Sequence, residues 1–219
     1  MIAQPDRSVV GGRFRSSLPT LMLGFAALLA GLGGTLVATR LMTPPAPAAT
    51  AAATAQYLPA VDHQPQPAPD FRLPDETGQV VSLSGLRGHE VLMTFMDPQC
   101  TAMCPIVGQE ISSIEASLPA NITPILLVVS VAPGRTAADV STFVAHVTWR
   151  AGWHWLLGNQ EQLQAVWATY HIAVQPSLTD VAHDETLYVI DPQGRITAGY
   201  NAPLPVGEVA SVIAAHSSR

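Results

Sequence analysis

Two cysteines, the only ones in a chain of 219 residues, stand four positions apart at Cys100 and Cys104. Their surroundings constrain the fold more than any other stretch. The apolar run Val91-Leu92-Met93-Thr94-Phe95-Met96 leads into the short loop Asp97-Pro98-Gln99, and Pro105 follows Cys104 at the head of a helical pattern. Buried strand, thiol-bearing loop and helix start are thereby set in that order. Proline suits the first turn of a helix, where its missing N–H would have had no intrahelical partner. The unpaired N–H groups at such a start carry partial positive charge, which favours thiolate over thiol. The pattern predicts that Cys104 caps or opens the helix, with Cys100 in the loop before it. Two sulfurs so placed can meet as a disulfide or converge on one metal ion, and both chemistries stay open here. An inert structural disulfide is the plain alternative.

Composition matters next because it is uneven. Hydrophobic residues make up 48% of the chain and charged residues only 12%, so apolar surface remains after one sizeable core is filled. Much of it lies in Leu18–Thr39, which holds no charged residue and matches the roughly 20 residues needed to cross a bilayer as a helix. Arg7, Arg13 and Arg15 precede this span and only Arg40 follows closely, which orients the short tail toward the cytoplasm. The expected organisation is a cytoplasmic tail at 1–17, a single-pass anchor at 18–39, a Pro/Ala-rich linker at 40–69 and a folded domain at 70–219. The domain would then face the non-cytoplasmic, periplasmic side of the cell inner membrane. A long signal peptide cut near Ala46 or Ala51 is the alternative. The linker, with Pro44-Pro45, Pro47, Pro65, Pro67 and Pro69, has too little apolar surface to fold and reads as partly extended polyproline II. From Asp70 onward six Arg face fourteen Asp and Glu, and the chain has no Lys. An acidic domain without a basic stripe argues against nucleic-acid binding.

Within the domain, Phe71-Arg72-Leu73 and Gln79 to Leu83 flank the turn-rich Pro74-Asp75-Glu76-Thr77-Gly78 and predict a hairpin. Glu90 to Met96 and Ile122 to Val131 read as inner strands, and Trp153 to Leu157 as a short third. Val107, Ile111, Ile114 and Leu118 fall at helical spacing after the cysteines, and Pro119 stops that helix. A second helix begins near Thr136. A third follows Asn159, an apt N-cap, with Leu163, Val166, Trp167 and Tyr170 as its stripe. Leu187 to Ile190 and Arg195 to Tyr200 bracket the hairpin turn Asp191-Pro192-Gln193-Gly194, and a last helix runs from about Pro205 to Ala215. The order defines an α/β, thioredoxin-like fold: a central mixed sheet flanked by helices, behind the N-terminal transmembrane helix.

Four segments of this domain resemble the Sco/SenC family. Phe71 to Gly88 is similar to its entry hairpin. Cys100-Thr101-Ala102-Met103-Cys104-Pro105 matches its Cys-x-x-x-Cys-Pro motif. Val129-Ser130-Val131-Ala132-Pro133-Gly134-Arg135 resembles its Ser-Val-Asp-Pro-x-Arg turn. Ala182-His183-Asp184, ahead of Leu187 to Gly194, resembles its metal-binding His before a Tyr-Leu-Ile-Asp-Pro-x-Gly hairpin. The departures are Thr101 in place of Pro, Ala132 in place of an acidic residue, and Ala182 in place of the Asp that commonly precedes the His. The resemblance implies a membrane-anchored copper protein that serves assembly of the copper site of cytochrome c oxidase. Cys100, Cys104 and His183 would be the metal ligands for Cu(I)/Cu(II), and Cys100 with Cys104 the redox-active pair. Its partner would be the copper-bearing subunit of cytochrome c oxidase or another copper chaperone.

Imidazole and thiolate together suit copper. The same sulfurs also suit a thiol–disulfide oxidoreductase acting on a partner's cysteines without carrying copper, through a mixed disulfide. His183 separates these readings, because a reductase does not need it. Met96 and Met103 are left out of the ligand set, since methionine is more often core filler. His154 and His171 read as packing or surface residues. The four tryptophans read as core or a partner-facing patch, and His63 as a solvated linker residue.

Overall fold

A six-stranded mixed sheet carries the domain. The computed structural model describes residues 64–150, 152–176 and 181–216; the tail, the span read as an anchor and most of the linker lie outside these residues. In chain order the strands are β1 Gln66–Pro67, β2 Arg72–Pro74, β3 Val80–Ser82, β4 Val91–Met96, β5 Ile125–Ser130, β6 Trp153–Leu156, β7 Val174–Pro176, β8 Val181–His183, β9 Thr186–Ile190 and β10 Arg195–Asn201. The helices are α1 Cys104–Ser117, α2 Ala137–Val144, α3 Gln160–Thr169 and α4 Val206–His216. The large sheet runs β1-β10-β9-β4-β5-β6, while β2-β3 and β7-β8 form two small hairpins. β4, β5 and β6 are parallel, and β9 pairs antiparallel with both β4 and β10.

The run of β4, apolar except for Thr94, follows from its position. Leu92 and Met96 face one core with Ile111 and Ile114 of α1, Val140 of α2 and Ile213 of α4. Val91, Met93 and Phe95 face the other, with Leu163 and Val166 of α3. A strand covered on both faces has no polar side to alternate with. Each such side chain, fully buried, contributes about 1.5–3 kcal/mol. Trp155 is fully buried and Trp167 is buried, while Trp149 and Trp153 are half-buried around Phe143 and Trp155.

The caps behave as their residue types require. Asn159 and Thr136 each accept from the N–H three residues on, and Gln162 and Asp139 reach back to close the capping boxes. Two elements were not foreseen. Gln66–Pro67, at the end of the stretch read as linker, pairs with Ile196 and Arg195 of β10. The short hairpin β7-β8 carries His183 at the end of its second strand.

Candidate metal centre

Strand order places the site. β4 and β5 run parallel with Met96 opposite Ser130, so the loops that leave them emerge side by side at one end of the sheet. Open α/β sheets bind ligands at such carboxyl ends. β9 runs the other way, with Leu187 opposite Thr94, so it begins where β4 ends. Thr94 Oγ1 donates to the Thr186 carbonyl at 3.0 Å and fixes that alignment. The residues just before β9, His183 to Glu185, are therefore delivered to the cysteine loop across 79 positions of sequence.

The two thiols meet at the head of α1. Cys104 is its first residue, preceded by Met103 as a cap with no capping side chain. Instead, the Cys104 N–H donates to the Cys100 sulfur at 3.5 Å, so a thiol serves one of the unpaired donors of the helix start. Neither cysteine is in a disulfide. Cys104 is 1% exposed and Cys100 8%. The hydrogen bond between the two thiols, and then burial, push the Cys104 thiol far above the ordinary range, with the Glu185 charge acting the same way and a backbone hydrogen bond from Asp97 opposing. The helix start alone favours a thiolate, and the surroundings of Cys104 act against it. The partial charge of one helix end is outweighed by loss of solvent and a neighbouring sulfur.

His183 Nε2 stands 3.7 Å from Cys104 Sγ. Its other ring nitrogen, Nδ1, lies 3.1 Å from the Asp184 carbonyl. An N–H at Nδ1 donates there, which leaves the Nε2 lone pair directed at the sulfur. A second bond of this kind is what orients an imidazole ligand. Asp184 also pins the hairpin: its N–H donates to the Ala173 carbonyl at 3.0 Å, and its Oδ2 accepts from Ala173 N–H at 2.8 Å. Cys100, Met103, His183 and Glu185 line one cleft of about 310 Å³. Among the described residues, no three or more His, Cys, Asp and Glu side chains stand grouped so as to hold a metal ion. Of the three predicted donors, Cys100 and His183 line the cleft, and the buried Cys104 reaches it only through its 3.7 Å approach to His183.

A half-buried ion pair holds the loop that carries Cys100, and sequence reasoning missed it. Arg135 donates through Nε and Nη2 to the two Asp97 carboxylate oxygens at 2.7 and 2.6 Å, and through Nη1 to Gln99 Oε1 at 2.7 Å. Gln99 passes the link to Asp139 at 2.8 Å, inside the α2 capping box. Arg135 was visible in its turn, but nothing in the sequence pairs it with Asp97. Of the other histidines, His154 bonds Asp75 at 3.0 Å and His171 is an exposed residue at φ 56°, both away from the cleft. Met96 is core, at 1% exposure, whereas Met103 is 40% exposed.

A thiol pair at a helix start, on a mixed sheet with helices on both faces, defines the thioredoxin-like class. Residues 60–218 match the SCO1/SenC family, and the chain belongs to it. It is 27% identical over 153 residues to a protein of Stutzerimonas stutzeri named as a candidate copper-binding protein, covering 66% of this chain and 74% of that one. The fold is similar to Arabidopsis thaliana ScoI with copper bound, at TM-score 0.62 and 17% identity, over 69% of this chain and 98% of the other. Bradyrhizobium japonicum ScoI with copper bound superposes at 0.58 and 21% identity, over 68% and 99%. BsSco, a member of the Sco family of cytochrome c oxidase assembly proteins with a disulfide switch, superposes at 0.63 and 22%, over 72% and 98%.

Proposed function

We propose that this chain carries copper as cargo, on Cys100, Cys104 and His183, and delivers it to the copper site of cytochrome c oxidase or prepares the thiols of that site. The observation that carries the reading is His183: its Nε2 faces Cys104 Sγ while Nδ1 is tied to a backbone carbonyl. The donor chemistry fits the ion. Two sulfurs are soft enough for Cu(I), and an added imidazole accommodates Cu(II). Binding would displace the thiol protons to solvent, because the ligand is the thiolate. The family membership and the copper-bound relatives support the same reading. The reduced full-length chain, loaded with copper and desalted, should retain the metal; the same chain oxidised to the Cys100–Cys104 disulfide should not. If the reduced protein retains none, the alternative takes its place: a thiol–disulfide oxidoreductase acting on a partner's cysteines, favoured by the contact between the two thiols.

The Arg-flanked apolar span Leu18–Thr39 supports a membrane anchor with the domain on the periplasmic side. A reporter fused after Arg219 should then be active only outside the cytoplasm. Activity of the fusion in the cytoplasm would overturn the orientation.

A further inference from the structure

Copper handed between proteins moves by ligand exchange, so an incoming donor and a receiving ligand must touch the ion together. Cys104 at 1% exposure and Cys100 at 8% are poorly placed to make that first contact with a bulky delivering protein. The cleft lined by Cys100 and His183 has another soft donor at its mouth. Met103 lines it beside Cys100 and His183 and is 40% exposed, although methionine is ordinarily a residue that fills core. Met96 does fill the core, at 1% exposure, so the two methionines near the motif part company. Met103 sits at the cap of α1 without a capping hydrogen bond from its side chain. Leaving an unbranched apolar side chain in solvent gains nothing for the fold. It does leave a flexible thioether, of the softness that selects Cu(I), directly before the ligand Cys104.

We propose that the Met103 thioether is an entry and exit donor, which takes Cu(I) from a delivering partner and passes it to Cys100, Cys104 and His183. The inference rests on the copper reading above. No electron moves in the step: Cu(I) exchanges ligands, and the thiol protons leave to solvent. Because the thioether is a transit donor, its loss alters rates more than equilibrium affinity.

The test is stopped-flow transfer of Cu(I) from its glutathione complex to the reduced full-length chain in detergent, with release to a chromogenic Cu(I) chelator. Met103→Leu keeps size and apolarity and removes the sulfur. Ile106, 49% exposed on the first turn of the same helix, gives the control Ile106→Ala. Met103→Leu should slow both uptake and release about tenfold, the lower end of what losing an accessory group at a metal site costs, with equilibrium affinity almost unchanged. Ile106→Ala should leave both rates as they are. Equal rates for wild type and Met103→Leu would overturn the inference alone, and so would slowing of both variants alike, which would mark a general apolar contact. A wild type that binds no Cu(I) would overturn the copper reading beneath it.

Discussion

Asp97 lies one residue beyond β4, with its carboxylate side chain 2% exposed and all of its strong donors on nearby loops. Oδ1 accepts from Gln99 N–H at 3.0 Å and from Arg135 Nε, and Oδ2 accepts from Arg135 Nη2. Removing the guanidinium leaves a buried charge with one remaining backbone donor. Arg135→Ala should therefore cost about 2–4 kcal/mol, somewhat less than for a pair buried on both sides because Arg135 is partly exposed. Arg135→Lys should recover only part of this, since an ammonium cannot reproduce the two-pronged contact. Urea unfolding of the three proteins checks both statements; a loss below about 0.5 kcal/mol for Arg135→Ala, the size of an ordinary surface substitution, would contradict them. At this scale the sequence shows which residues have the right chemistry. It offers Cys100 and Cys104 as soft donors because they are the chain's two cysteines, whereas only the family resemblance singles out His183 among seven histidines. It does not pair Asp97 with Arg135, because carboxylates and guanidinia are common and their meeting depends on two loops being neighbours.

The elements were legible in proportion to their length. α1 and α3 each present two or more turns of apolar stripe with a stop or a cap at one end, and Val107, Ile111, Ile114, Leu163 and Val166 are buried as that spacing requires. β4 and β5 are six residues each and apolar almost throughout. β1, β7 and β8 have two or three residues, too few to show an alternation, and β1 and β7 contain proline, which ordinarily argues against a strand. They form because a longer neighbour or a local tie supplies their pairing: β10 for β1, and the Asp184–Ala173 contacts for the hairpin. The element that carries His183 was thus the least readable part of the domain. Its arrival at the cysteines came from the family resemblance and not from local pattern. The thiol environment also escaped the sequence, since a helix start argues for ionisation while tertiary burial argues against it.

Across the whole molecule, the site is a product of topology. A parallel strand delivers two thiols to one end of the sheet, and an antiparallel neighbour starts at that same end, bringing one oriented imidazole. The central claim is that these three side chains act as one copper site with divided roles. Cu(I) is satisfied by soft sulfur, whereas Cu(II) gains from the imidazole. The decisive measurement is a titration of the reduced full-length wild type, Cys100→Ser, Cys104→Ser and His183→Ala with Cu(I) and with Cu(II), following sulfur-to-copper charge-transfer absorbance for Cu(II) and chelator competition for Cu(I). The account predicts that either cysteine substitution loses both oxidation states, while His183→Ala keeps a weakened Cu(I) site and largely loses Cu(II). Identical Cu(II) spectra and affinities for wild type and His183→Ala would contradict it.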